Sequence, residues 1–248
     1  MKNNSSRAAV PSCRLRDVAA AARLFVMEAG GSLAVSPIAV HEAAHAIVAI
    51  FHGGLIGGAT IVPTNDHGGL MFPLDADPIN VTAATIREQA ERECKDARGL
   101  MPPAGESRDC VGRWVGNAQE QVTVALAGFA GEGLAGFERE CEATSTDVYV
   151  AALYARTVVL SDAAVAFYMA ACRADATEIL KAHWQAVTDV ATALDEREML
   201  TGEEIAAIIF AAEGKAAHEA ELRRREHMTA MTARAESTGA SSMRPRVE

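Results

Sequence analysis

One short segment, bracketed by Ser36-Pro37 and Gly53-Gly54, constrains this chain more than any other. Serine is a favoured N-cap, proline suits the first helical position, and glycine ends helices in a left-handed conformation that other residues avoid. The enclosed residues are expected to form a helix carrying Ile38, His41, His45 and Val48. Val40, Ile47 and Val48 would give that helix dry, rigid surroundings.

At its centre stands His41-Glu42-Ala43-Ala44-His45, the pattern H-E-x-x-H. Residues four apart lie on one helical face, so both imidazoles can reach a single tetrahedral ion at about 2.0–2.1 Å. Glu42 can touch a water on that ion without being a ligand. Zinc brings the pKa of such a water to about 7, and Glu42 would take its proton as it attacks a carbonyl. The same pattern arises by accident on helices that never meet a metal. A catalytic site also needs a third protein ligand, with the fourth position left for water. The extended signature with further Gly and His is not met, because Val48 and Phe51 occupy those places and His52 is one residue out of phase. No glutamate occurs between Glu42 and Glu88, which leaves Asp66, Asp75, Asp77 and later acids. Asp147 is the best placed, opening a helix after a Thr/Ser loop, and it would serve equally well as a plain helix-N-terminal charge.

The remainder reads mainly as helix. Apolar residues make up half the chain and aromatics only 5%, and Ala-rich runs with Glu and Arg favour helix. Helices are expected over 12–29, 82–97, 118–135, 147–171, 174–195 and 201–214, the last opened by a capping box of Thr201 and Glu204. The β signal is confined to 59–62 and 70–72, a hairpin or strand pair around a Gly-rich turn. The 59–62 strand is a candidate exposed edge for an added peptide strand. A Gly/Pro-rich loop is expected over 99–116, with Trp114 anchoring it to the core.

A formal charge of -10 disfavours nucleic acid, whose affinity comes from cationic side chains. Arg223-Arg224-Arg225, flanked by Glu221 and Glu226, reads as a solvated helix face. Five scattered cysteines without C-x-x-C fit neither a disulfide framework nor a thiolate metal site. The N-terminus lacks a secretory pattern and no segment reads as a membrane span, so a cytoplasmic protein is expected.

Five elements in order resemble the peptidase domain of the FtsH-type ATP-dependent zinc proteases. They are the H-E-x-x-H helix, Ala59-Thr-Ile-Val-Pro63 with Gly69-Leu-Met-Phe-Pro73, Ala127-Gly-Phe-Ala-Gly-Glu132, Thr144-Ser-Thr-Asp147, and the stretch from Leu194 to Ile205. The similarity runs from about residue 36 to 212. It implies a zinc metallopeptidase of mainly α-helical fold with one small β hairpin or strand pair. His41, His45 and Asp147 would hold zinc and Glu42 would be the catalytic base. Unfolded or flexible polypeptide would be the substrate, with a homo-oligomer or a separate ATPase as possible partners. A domain over 36–214 would follow an arm and helix over 1–35 and precede a charged, fraying tail over 215–248. Ala44 stands where the family usually has glycine, and the insert from Asp75 to Gly116 is longer than the family's. No lysine is followed by Ser or Thr, so a nucleotide-binding P-loop is ruled out and a free-standing peptidase domain is implied. The rival reading is a catalytically weak, peptidase-like domain that binds peptides or regulates a full-length protease. A zinc hydrolase acting on another substrate is a third. Glu132 would either orient a ligand histidine or be a helix-end acid, and His52 and His67 would either meet substrate or be merely solvated. His183 reads as a helix-surface residue.

Overall fold

The computed structural model describes residues 35–64, 68–74, 76, 80–103, 105–107, 109–137 and 145–242. The expected helix over 12–29, His67, Asp66, Asp75 and Asp77 lie outside them. The fold is mainly α-helical with a small antiparallel sheet, as expected. In chain order the elements are α1 (Pro37–Phe51), β1 (Ile56–Thr60), β2 (Leu70–Pro73), α2 (Ala83–Leu100), a 3-10 turn (Asp109–Val111), and α3 (Gly112–Leu134). Then come α4 (Thr146–Val158), α5 (Asp162–Ala182), α6 (Trp184–Arg197), β3 (Met199–Thr201) and α7 (Gly202–Ser242).

Both predicted ends of α1 form as read. Ser36 Oγ accepts from the Ala39 N–H at 3.3 Å, with Pro37 in the first turn. At the other end Gly53 N donates to Ile50 O and Gly54 N to Ala49 O, both at 2.9 Å, the paired bonds of a Schellman stop. Between these ends every residue from Ala39 to Ala49 is buried. A helix apolar all round must be covered on every side. Here α3, α6 and β1 cover α1, within a core that includes Val40, Val48, Val187, Leu194 and Leu200. A second core gathers Val122 and Leu126 of α3 with Cys94, Tyr154, Val165 and Cys172 from α2, α4 and α5. Helix α3 contributes to both, so it joins the two halves of the interior.

Contact between α1 and α3 is backbone-close. A Cβ at Gly131 would lie 2.7 Å from the Ala44 Cβ. The alanine in the middle of H-E-x-x-H is thus accommodated by a glycine on the facing helix.

The sheet order is β2-β1-β3, antiparallel throughout, with Ala59 opposite Met71 on one side and Leu200 on the other. This corrects the expectation that residues 59–62 form an exposed edge. β1 is central, and Ile61 N is already committed to Glu198 O at 2.8 Å. The strand Met199–Thr201 lies where the helices expected over 174–195 and 201–214 meet, and no strand is expected there. Three residues with one buried, Leu200, give too short a pattern to register as β.

Helix boundaries differ in four further places. The single helix expected over 147–171 is two, α4 and α5, bent by 115°. The β-branched run Thr157-Val158-Val159 weakens the helix there, and Ser161 caps a new one by accepting from Ala164 N at 3.2 Å. The helix expected over 174–195 starts at Trp184, because α5 continues to Ala182. The loop expected over 99–116 ends early, since α3 already begins at Gly112. Trp114 therefore sits in its first turn, donating to Thr157 Oγ1 at 3.0 Å and stacking on Tyr154. Finally, the helix expected over 201–214 runs on to Ser242 through residues expected to fray. Its start is the predicted capping box, with Thr201 N donating to Glu204 Oε2 at 2.8 Å and Glu204 N to Thr201 Oγ1 at 3.3 Å. Farther along, Glu221 pairs with Arg224 and Arg225, both at 2.7 Å, so the basic triplet is an exposed helix face as read. Such pairs add a few tenths of a kcal/mol each to an Ala-rich helix, about 0.2–0.5. Among the described residues no single helix is long and apolar enough to cross a membrane.

The start of α1 is also tied across the fold. Ser36 N and Oγ donate to the two carboxylate oxygens of Asp195 on α6, at 2.6 and 2.5 Å. Replacing Asp195 by alanine should cost about 1 kcal/mol in a urea titration with unchanged m-value. An unchanged midpoint would show that the tether is not stabilising.

Candidate metal centre

His41 and His45 project from one face of α1, with ring centroids 4.7 Å apart in edge-to-face contact. Both are buried, at 7% and 6% exposure. Asp147 arrives from the first turn of α4, where Ser145 Oγ caps the helix by accepting from Val148 N at 3.2 Å. Its Oδ2 lies 3.2 Å from His41 Nε2 and 3.8 Å from His45 Nε2. One ligand atom from each of the three residues falls within 4.8 Å of the others. A tetrahedral ion with bonds of about 2.0–2.2 Å holds its ligand atoms roughly 3.3–3.6 Å apart. The group could therefore hold a metal ion with little adjustment.

The remaining ring nitrogens reinforce this geometry. His45 Nδ1 donates to the Val124 carbonyl at 2.7 Å; a carbonyl only accepts, so the neutral ring keeps its lone pair on Nε2. His41 Nδ1 meets Glu132 Oε1 at 3.0 Å, which leaves its Nε2 turned toward Asp147 in the same way. Partners of this kind fix the orientation of a ligating imidazole and raise its basicity. Glu132, only 1% exposed, is thus a partner of the first histidine rather than a helix-end charge.

These contacts come from one face of α3. Val124, Gly128, Gly131 and Glu132 are spaced at i, i+4, i+7 and i+8, and so point together toward α1. A Cβ on Gly128 would lie 2.4 Å from the His41 ring, so the imidazole stands directly on the α3 backbone. Phe129 closes the side, its ring edge-on to His41 at 5.1 Å.

Three carboxylates share this buried place with two imidazoles, and the electrostatics follow. Burial pushes the Glu42 carboxyl up to about 8, against the charge of His41 and a hydrogen bond from the Met71 backbone. Burial disfavours a charged His41, yet hydrogen bonds to Asp147 and Glu132 outweigh it and lift the ring to about 10. Burial lowers His45, and the charge on His41 lowers it further. Asp147 is held below the usual carboxylate range, since the His41 hydrogen bond overcomes the effect of its burial. Buried carboxylates need a compensating positive charge. The donor set fits a divalent cation at the point where the two Nε2 atoms and Oδ2 converge.

The site opens into a cleft of about 420 Å³ bounded by Ile38, Met71, Ile86, Val124 and Phe129. Within the stretch from Asp75 to Gly116, Ala83 and Ile86 of α2 form part of the cleft wall. Arg87 Nη2 donates to Thr146 Oγ1 at 3.0 Å, beside Asp147, and the Arg87 guanidinium lies over the Tyr149 ring. His52 caps the C-terminus of α1, two turns beyond His45, and lines an adjoining pocket instead of this cleft. His183 sits at the α5–α6 junction, its Nδ1 3.0 Å from a Glu213 carboxylate oxygen, remote from the centre.

Sequence reasoning did not reach the Val124 carbonyl, the Met71 N–H or Arg87. The first two are backbone groups and carry no residue signature. The spacing of Gly128, Gly131 and Glu132 was a legible signal for the α3 face. No protein-family model matches this chain, and no curated protein matches it either.

Replacing Glu132 by glutamine should leave the helical circular-dichroism spectrum intact while weakening divalent-metal affinity by about 10- to 100-fold in a chelator competition. Unaltered affinity would remove Glu132 from the site.

Proposed function

We propose that this chain is a zinc-dependent endopeptidase acting on unfolded or flexible polypeptide. The observation that carries the reading is the convergence of His41, His45 and Asp147 at one point, with buried Glu42 on the wall of the same cleft. Two histidines and one carboxylate, with a position left open, are a donor set characteristic of catalytic zinc. The resemblance of five ordered sequence elements to the FtsH-type peptidase domain supports it.

Zinc, when bound, supplies Lewis acidity, polarising a carbonyl oxygen and making water a better nucleophile near neutral pH. The chain's own residues do the rest. Glu42 would take the proton of the attacking water and pass it to the leaving amine. Its burial raises the carboxyl above the usual carboxylate range, so it binds a proton more readily than an exposed glutamate does. The Met71 backbone N–H orients it. Glu132 and the Val124 carbonyl hold the two imidazoles in the ligating tautomer. Apolar side chains of Ile38, Val124 and Phe129 limit water around the reacting atoms, which strengthens every charge interaction there.

An extended polypeptide has a natural seat. With β1 central, β2 is an edge of the sheet, and its Leu70 and Met71 line the cleft. Main-chain pairing along such an edge favours substrate that is already unfolded. No lysine of this sequence is followed by Ser or Thr, so these residues do not themselves form a nucleotide-binding P-loop.

Casein and unfolded-peptide cleavage, with and without chelator, tests the reading alongside zinc stoichiometry. Wild type should bind one zinc per chain and lose activity on chelation. Glu42→Gln should retain the metal and lose about 10²- to 10⁴-fold in turnover. Asp147→Ala should lose zinc. Full activity in Glu42→Gln would overturn the role of that carboxyl. A metal-loaded wild type that cleaves no peptide would favour the peptide-binding alternative.

A further inference from the structure

A second cavity, about 340 Å³, adjoins the metal cleft and shares Met71, Ile86, Gln121, Val124 and Val150 with it as a common wall. It follows α1 beyond His45 to Ala49 and His52, and helix α2 forms one side with Ile86, Gln89, Ala90 and Glu93. Nothing in the reaction described above uses it. The inference here rests on the endopeptidase reading and asks which substrate that cavity would select.

Its lining divides by chemistry. Ile56, Met71, Ile86, Val150 and the ring of Tyr154 make an apolar shaft. Polar lining comes from His52, Gln89, Gln121 and two carboxylates, Glu93 of α2 and Glu120 of α3. No lysine or arginine lines it. Glu93 is held in place, accepting from Tyr154 Oη at 2.5 Å and from Gln89 Nε2 at 3.0 Å. A carboxylate offers about four lone-pair directions, so two donors leave it able to accept more. An apolar shaft with fixed negative charge matches a side chain having an aliphatic stem and a cationic head, as lysine and arginine do.

Distance fits as well. His45 and His52 are seven residues apart on α1, roughly 10 Å at 1.5 Å per residue. An extended substrate advances about 3.3 Å per residue, which puts the cavity within roughly three residues of the scissile bond. We infer that this second cavity is a specificity pocket for a lysine or arginine side chain near the cleavage point, with Glu93 and Glu120 as the residues that select it.

The test uses the full chain loaded with zinc. Matched unstructured fluorogenic peptides would carry Arg, Leu or Glu at one position, scanned over three residues on each side of the cleaved bond. At one position the Arg peptide should exceed the Glu peptide by tenfold or more in kcat/KM. In Glu93→Gln/Glu120→Gln the Arg-to-Glu and Arg-to-Leu ratios of kcat/KM at that position should fall to about one, each ratio read within the same variant. Equal cleavage of all three at every position, or an Arg preference that survives the double substitution, would overturn the inference. Should no peptide be cut, the endopeptidase reading fails, and the pocket is tested by fluorescence anisotropy of the same peptides on Glu42→Gln. Tighter binding of Arg peptides that disappears when Glu93→Gln/Glu120→Gln is added supports the pocket. Equal binding of Arg, Leu and Glu peptides overturns it.

Discussion

The close crossing of α1 and α3 is the constraint on which the rest of the molecule depends. Gly131 against Ala44 and Gly128 against the His41 ring let two backbones approach where any larger pair of side chains would hold them apart. That approach brings the Val124 carbonyl and the Glu132 carboxylate within reach of two imidazoles on the other helix. Packing and site assembly are therefore one event. The glycines that seem costly inside a helix, at about 1 kcal/mol each against alanine, are what allow the polar groups of α1 to be buried with partners.

Burial of charge sets the second condition. A helix interior to the protein carries Glu42, His41 and His45 where a purely structural helix would carry leucines. Three carboxylates around two imidazoles are tolerable only with positive charge among them. The raised His41 and the lowered Asp147 express that demand as a proton on the first and its absence on the second. A divalent cation between the same atoms would satisfy it more fully, with both imidazoles neutral.

Much of this was legible in the residues. Ser36-Pro37 and Gly53-Gly54 delimited α1, and His41 with His45 shared a face by spacing alone. Asp147 was not decided by spacing, because an acid opening a helix has an ordinary electrostatic use; its place beside both rings is a fact of tertiary structure. The 115° turn between α4 and α5 was hidden by apolar periodicity that continues through it, although Ser161-Asp162 was a cap signal within the run. β3 was hidden for the opposite reason, its three residues being defined by pairing with Gly58, Ala59 and Thr60 and by nothing local. That same pairing moved β1 from the edge of the sheet to its centre.

The three candidate ligands are not equally fixed. His41 and His45 are buried on one helix and each is pinned through its second nitrogen, so their separation is a property of the core. The Asp147 side chain is about one-third exposed and enters from the first turn of another helix. What steadies it comes from α2: Arg87 on Thr146, and Glu91 and Glu93 accepting from Tyr149 and Tyr154, both at 2.5 Å. The candidate centre thus joins a rigid pair of histidines to an aspartate held in part from a neighbouring helix. That helix also lines both cavities, through Ile86. Arg87 thereby links the helix that lines both cavities to the turn that carries Asp147.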